Sequence, residues 1–133
     1  MVIEMKFCPF KSVNEISFNS SKDEIIQELG SPEGESTNSL GWYELVYGES
    51  VYRLDKEGRL VEVTANLESI EINGAKVQYH LLKDHLSKYD SEIFDTVGFI
   101  VSPKFGIAFD PEHKFWITHF RQTELEGWCN VSS

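Results

Sequence analysis

Residues 42–65, WYELVYGESVYRLDKEGRLVEVTA, decide the fold that the sequence predicts. Apolar and polar side chains alternate through three runs, at about 42–47, 50–54 and 59–66, which is the period of strands with one buried face. A hairpin turn at 55–58 joins the last two runs. The alternation assigns one face to Tyr43, Leu45, Tyr47, Tyr52, Leu54, Val61, Val63 and Ala65. The opposite face receives Trp42, Glu44, Val46, Arg53, Leu60, Glu62 and Thr64.

A short helix is predicted before these strands, at about 22–29. Ser21 and Glu24 have the spacing of a capping box, in which each side chain bonds the backbone N–H of the other residue. Gly30 ends the helix and Pro32 prevents its continuation. A short strand signal at Ile16 and Phe18 precedes the helix, and a polar loop at 31–41 follows it.

The second half of the chain shows a similar order of elements. Asn73-Gly74 is a strong hairpin signal between runs at 69–72 and 76–79. A second helix is predicted at about 80–89, with Leu82 and Leu86 on its apolar face. Further strands are predicted at about 96–101, 105–109 and 114–120, followed by a tail at 121–133 that Trp128 anchors.

An offset of 55 residues aligns 42–65 with 97–120 without a gap. Leu45 then matches Ile100, and Asp55 matches Asp110. The alignment favours two repeat units, at about 16–66 and 69–120, although two unrelated meanders would also alternate in this way. We therefore predict one α+β domain over 1–133. It consists of a twisted antiparallel sheet with two helices on one face, built from two degenerate repeats.

The first unit resembles a known type of helix-plus-strands module. The residues that carry the likeness are Leu29-Gly30-Ser31-Pro32, Gly41-Trp42-Tyr43, Tyr52-Arg53-Leu54-Asp55 and Gly58-Arg59-Leu60-Val61. They are similar to one unit of the β-lactamase-inhibitor-protein type, which outer-membrane assembly lipoproteins also use in a related form. The chain departs from both groups, since it has no lipoprotein signal and no Leu-Gly-x-Pro after the second helix. The resemblance implies a sheet face that presents aromatic side chains to a protein partner.

The charge pattern restricts the partners. Twelve Lys and Arg against 22 Asp and Glu give a net charge of −10, which disfavours nucleic acid and anionic membranes. Residues 23–52 contain seven acidic side chains and no Lys or Arg. This segment, which includes Glu33 and Glu35, is either a solvated acidic surface or an electrostatic docking patch for a basic partner.

Cys8 and Cys129 have no metal or redox spacing. No secretory signal and no apolar run of about 18–20 residues is present, which favours a cytoplasmic protein with reduced thiols over one with a terminal disulfide. His80, Asp84 and His85 lie close together on the second helix without enough ligands for a metal. No nucleophile elbow or phosphate loop is present, so we expect neither catalysis nor a cofactor.

The candidate binding surface is the sheet face opposite the helices. The offset of 55 adds Val97, Phe99, Val101, Phe115, Ile117 and His119 to this face. Large aromatic side chains rimmed by charge are typical of binding hot spots. The predicted partner-binding residues are Trp42, Glu44, Arg53, Glu62, Phe99, Phe115 and His119, with Glu33 and Glu35 as steering charges. The C-terminal tail, a loop or a second copy are alternative covers, and an inverted sheet would instead expose Tyr43, Tyr47 and Tyr52.

Three functions follow from these observations. The first is a non-enzymatic inhibitor that occludes a basic protein, such as an acidic bacterial immunity protein that blocks a toxin. The second is an adaptor module that forms a weak homodimer through a sheet edge. The third is a small-ligand binder or enzyme, which would require a deep pocket that holds a His or carboxylate with a strongly shifted pKa.

Overall fold

The computed structural model describes residues 4–96 and 98–130 as an α+β fold, as the sequence predicts. The strands are β1 (Glu4–Cys8), β2 (Ser12–Val13), β3 (Ile16–Ser17), β4 (Gly34–Thr37), β5 (Tyr43–Tyr47), β6 (Ser50–Leu54), β7 (Leu60–Asn66), β8 (Ser69–Ile72), β9 (Ala75–Gln78), β10 (Phe94–Thr96), β11 (Phe99–Ser102), β12 (Ile107–Phe109) and β13 (Trp116–Phe120). The helices are α1 (Lys22–Leu29), α2 (Leu82–Tyr89) and α3 (Leu125–Asn130). The predicted outward position of Val97 and the state of the Cys129 thiol lie outside the described part of the chain.

Eight strands form the larger sheet, in the order β10-β11-β12-β13-β7-β6-β5-β4, and every pairing is antiparallel. The pairing of β7 with β13 at the centre joins the two halves of the chain, with Thr64 opposite Thr118. The polar loop predicted at 31–41 is partly wrong, because Gly34–Thr37 pairs with β5 as an edge strand. The interpretation as two repeats stays a prediction.

The predicted single sheet is wrong, because five strands form a second sheet in the order β3-β2-β1-β8-β9. Its central pair, β1 with β8, is parallel, so this sheet is mixed. The strand Glu4–Cys8 was not predicted, although Met5 and Phe7 are buried and Lys6 between them is exposed. Its partner Ser69–Ile72 lies far away in the sequence, and no local turn signal indicates such a pairing.

The first helix has the predicted bounds and the predicted capping box. The Glu24 amide donates to Ser21 Oγ at 3.2 Å, and the Ser21 amide donates to Glu24 Oε1 at 2.9 Å. α2 is preceded by a single 3₁₀ turn at Tyr79–Leu81, which shortens the predicted second helix. The predicted tail contains a 3₁₀ turn at Gln122–Glu124 and the short helix α3.

A β-bulge in β7 corrects the predicted faces of the larger sheet. Arg53 pairs with Glu62 but Leu54 pairs with Leu60, so Val61 is an extra residue in this strand. One extra residue exchanges the two faces of a strand, since side chains alternate with a period of two. Leu60 therefore belongs to the core, and its predicted place on the opposite face is wrong.

The main core lies between the two sheets and is closed by α1 and α2. Ile25 of α1 and Leu82 and Leu86 of α2 are fully buried in it. The side chains predicted for the helix-facing side of the larger sheet pack here, with Val61 as the exception. Phe7 of the smaller sheet is fully buried, and its ring centroid lies 4.0 Å from that of His119 in β13. This contact couples the two sheets.

Two further features bear on the predictions from sequence. Cys8 carries a free thiol and is half buried. Among the helices at residues 4–96 and 98–130, none has the length and apolar character that crossing a bilayer requires.

Replacing Phe7 by Ala tests the packing of the two sheets. The cavity between Phe7 and His119 is expected to lower the free energy of unfolding by about 3–5 kcal/mol. Leu40→Ala is the control, since Leu40 is 60% exposed and its loss should change stability by less than about 0.5 kcal/mol. Urea unfolding measures both variants, and a loss below about 1 kcal/mol for Phe7→Ala would show that the sheets do not share this core.

Candidate functional site

The larger sheet has an outer face, which we define as the side turned away from the smaller sheet and from α1 and α2. The C-terminal segment, which contains α3, covers part of the β11–β13 half of this face. Leu125 and Trp128 pack there against a small second core of Val101, Ala108 and Phe120. Phe10 also contacts this core, and a Cβ on Gly106 would lie 2.7 Å from its ring, so this close approach requires glycine. The predicted alternative, in which the C-terminal tail covers the face, therefore applies to part of it.

Beside this covered part lies an open hollow in the outer face, which we call the tryptophan cleft. It consists of two adjoining hollows of about 430 and 400 Å³. The first is lined by Arg53, Glu62, Thr64, Phe99, Asp110, His113, Trp116, Thr118 and Trp128. The second is lined by Asn38, Leu40, Trp42, Arg53, Glu62, Glu124, Gly127 and Trp128. Trp128 and the pair Arg53 and Glu62 belong to both hollows, so they form the centre of the cleft.

All three tryptophans of the chain line this cleft. Trp116 begins β13, and Trp42 precedes β5. Trp128 lies on α3, where its ring stacks on Phe120 at 5.8 Å and meets the edge of Phe99 at 5.3 Å. Each tryptophan is half buried, so part of its surface remains available to a ligand.

The floor of the cleft is a network of polar side chains around one guanidinium. Arg53 Nε donates to Glu44 Oε2 at 2.8 Å, and Arg53 Nη1 donates to Thr64 Oγ1 at 2.6 Å. Glu62 Oε2 lies 3.5 Å from the same Nη1. Thr64 Oγ1 is 2.8 Å from Thr118 Oγ1 across the central strand pair, so the network crosses from β5 to β13. Two carboxylates therefore share one guanidinium.

Glu62 has an unusual electrostatic environment. Its side chain is only 13% exposed, and burial raises its pKa from 4.5 to about 7. Arg53 and a hydrogen bond from the Trp128 indole N–H act in the opposite direction, while the charges of Glu124 and Glu44 add to the increase. Glu62 is consequently poised between its neutral and ionised forms near neutral pH.

The predicted partner-binding residues divide into two groups. Trp42, Phe99, Arg53 and Glu62 lie together in the tryptophan cleft, and Glu44 joins them through Arg53. Phe115 does not belong to this surface, so its predicted place there is wrong. It lies in the turn before β13 with a left-handed backbone (φ 73°), and its ring packs 5.2 Å from Tyr79 at the edge of the main core.

The prediction that His119 faces a partner is wrong, because the residue is fully buried in the main core beside Phe7. The offset of 55 residues placed both Ile117 and His119 outward, but the bulge at Val61 reduces the offset by one beyond that point. Neither ring nitrogen makes a hydrogen bond with a described residue. Burial lowers the pKa of His119 from 6.5 to about 3, and the Val63 backbone acts in the opposite direction.

The acidic segment 23–52 is partly neutralised within the protein. Glu35 Oε1 lies 2.6 Å from Lys22 Nζ and accepts from the Tyr43 hydroxyl at 2.6 Å, and these hydrogen bonds lower its pKa. Glu33 accepts from the Gly48 amide. Both glutamates are nevertheless exposed. They lie at the β4 edge of the larger sheet rather than in a free loop, and their steering role stays a prediction.

Sequence reasoning missed most of the cleft lining, including Trp116, Thr118 and Trp128. Trp116 and Thr118 were missed because they point outward only when the bulge at Val61 reduces the offset of 55 residues by one. Trp128 was expected only to anchor the tail, and the helix that carries it has six residues, too few for a clear period. The presence of all three tryptophans on one surface is visible only in the folded chain.

The described residues contain no group of three or more His, Cys, Asp or Glu side chains that can hold a metal ion. His80 lies on the 3₁₀ turn, whereas Asp84 and His85 lie on α2. The absence of catalytic activity stays a prediction. Comparison of the chain with protein-family models, with curated proteins and with solved structures gives no match in any of the three.

The two shifted pKa values affect stability in opposite ways between pH 4.5 and 6.5. His119 is protonated below pH 6.5 in the unfolded chain but stays neutral in the folded chain to about pH 3, so it destabilises the fold as the pH falls. Glu62 is protonated in the folded chain below about pH 7 but only near pH 4.5 when unfolded. It therefore stabilises the fold as the pH falls.

Single substitutions should separate these effects. Relative to the wild type, His119→Leu should gain stability on acidification from pH 6.5 to 4.5, by up to about 1.4 kcal/mol per pH unit, and Glu62→Gln should lose a similar amount. His119→Leu should also be at least as stable at pH 7, since it removes a buried ring without hydrogen bonds. His80→Gln is the control, because His80 is exposed on the 3₁₀ turn before α2 and lies outside the cleft. Denaturant unfolding at each pH measures all three variants, and a wild-type pH profile for His119→Leu would contradict its burial.

Proposed function

We propose that this protein is a non-catalytic inhibitor that binds a basic protein on the outer face of its larger sheet, as an acidic immunity protein binds a toxin. The observation that carries this proposal is the tryptophan cleft. Trp and Arg side chains are enriched in the energetic centres of protein interfaces, and the centre of this cleft contains Trp128 and Arg53. The partner would lose access to its own active site by steric occlusion.

The charge of the protein and of the cleft supports a basic partner. The chain carries a net charge of −10. Among the described lining residues, Arg53 is the one Lys or Arg side chain, whereas Glu62, Asp110 and Glu124 supply three carboxylates. Complementary charge accelerates the encounter of two proteins and selects against acidic competitors. Glu33 and Glu35 are exposed at the β4 edge of the sheet but do not line the cleft, and Glu35 pairs with Lys22 of α1.

The same cleft favours a second candidate function, the binding of a small molecule. Its volume lies within the range of ligand pockets, and it holds a carboxyl group with a strongly shifted pKa. A melting temperature that rises with a protein-free small-molecule extract of the host would favour this function. A melting temperature that rises only with the protein fraction would favour the inhibitor.

The inhibitor proposal is tested by isolating the partner with the full chain as bait in the native host and measuring association by stopped flow. We expect a partner of net positive charge whose own activity is inhibited in the complex. Association should slow by more than about tenfold between low salt and 0.5 M salt, because screening weakens steering. An association rate that is insensitive to salt, or an acidic partner, would contradict the proposal.

Substitution of Trp42 by Ala tests where the partner binds. An anchor in a desolvated interface contributes about 2 kcal/mol or more, so Trp42→Ala should weaken binding by at least about thirtyfold, mainly through faster dissociation. Leu81→Ala is the matched control, since Leu81 is 48% exposed and lies on the 3₁₀ turn before α2, away from the outer face. Equal affinities of the partner for Trp42→Ala and Leu81→Ala would show that the outer face is not part of the interface.

A further inference from the structure

We propose that the tryptophan cleft is a receptor for a single arginine side chain of the protein partner, whose guanidinium lies among the tryptophan rings and pairs with Glu62. This inference rests on the proposed protein-binding function and specifies the group that the partner inserts. It follows from the aromatic walls of the cleft and from the imbalance of charge on its floor.

The walls have the chemistry that attracts an organic cation. Phe99, Trp116 and Trp128 line the first hollow, and Trp42 and Trp128 line the second. The faces of aromatic rings carry partial negative charge and attract ammonium and guanidinium groups, most strongly at tryptophan. A guanidinium is planar and weakly hydrated, so it stacks on such rings more readily than a lysine ammonium.

The floor lacks one positive charge. Glu44 and Glu62 both pair with Arg53, which leaves two carboxylates for one guanidinium. The other carboxylates of the cleft are held more closely: Asp110 Oδ2 is 2.7 Å from His113 Nδ1, and Glu124 Oε2 is 2.9 Å from Arg121 Nη2, which Asp55 also contacts at 3.3 Å. The ion pair of Glu62 with Arg53 is longer, at 3.5 Å. Glu62 is therefore the carboxylate that remains for an incoming cation.

The groups that face Glu62 come from each element around it. Arg53 lies on the neighbouring strand β6 and Glu44 on β5 beyond it, and Thr64 and Thr118 are uncharged. Glu124 and the Trp128 indole approach from the C-terminal segment. Apart from Arg53, none of these groups supplies a positive charge. A guest cation should therefore ionise Glu62, and near pH 7 this ionisation releases a fraction of a proton.

A pair of small probes tests the proposal on the wild-type protein. N-acetyl-arginine amide carries the guanidinium, and N-acetyl-citrulline amide has nearly the same shape without the charge. We expect the arginine probe to bind with a dissociation constant of about 1 mM and the citrulline probe to bind at least about fivefold more weakly. Titration calorimetry at pH 7 in two buffers of different ionisation enthalpy should show proton release with the arginine probe. Equal binding of the two probes, or binding without proton release, would overturn the proposal.

Two variants with the same change of charge locate the effect. Glu62→Gln should weaken arginine-probe binding by at least about fivefold and abolish proton release. Glu57→Gln is the control, because Glu57 is exposed in the turn between β6 and β7 and is not part of the cleft. It should retain both the affinity and the proton release. If Glu57→Gln loses both the affinity and the proton release, or if Glu62→Gln retains both, the site lies elsewhere.

If the basic partner binds Glu62→Gln as tightly as the wild type, the arginine site is wrong while the inhibitor function stands. If the arginine probe binds as expected but no basic protein is inhibited, the proposed function is wrong, and with it the assignment of the cleft to a partner's side chain.

Discussion

The antiparallel pairing of β7 with β13 is the interaction on which the rest of the structure depends. It joins the two halves of the chain, and its alternation separates two environments. Val63 and His119 point into the core between the sheets, whereas Glu62, Thr64 and Thr118 point into the tryptophan cleft. A register shift of one residue would exchange these two sets. Glu62 would then face the core and His119 would face the cleft.

The two ionisable groups of this pair show how the fold treats charge. His119 lies where no described residue bonds to its ring, so the fold keeps it neutral. Glu62 lies on the other face, partly shielded but beside Arg53 and an open cleft. Buried ionisable groups destabilise a fold unless they are neutral or paired. His119 is neutral, whereas Glu62 shares Arg53 with Glu44. This sharing is the basis for inferring a cation as the ligand.

The sequence predicted what local patterns determine. The helix at 22–29 and its capping box follow from Ser21 and Glu24, and three strands follow from the alternation in 42–65. It did not predict the parallel pairing of Glu4–Cys8 with Ser69–Ile72, because long-range pairing leaves no local signal. The bulge at Val61 also has no local sequence signal. This one extra residue explains why Trp42 and Phe99 were placed correctly but His119 was not. The cleft was only half predictable, since Trp116 and Trp128 enter it through tertiary packing.

We propose that the inner face of the larger sheet is buried in the main core and that its outer face is an accessible binding surface. Hydroxyl-radical footprinting of the full chain, read by mass spectrometry, tests both parts together. The account predicts that Trp42, Trp116 and Trp128 are oxidised in the free protein while Phe7 and His119 are protected, and that the partner then protects the tryptophans. Tryptophans as protected as Phe7 in the free protein, or unchanged by the partner, would contradict it.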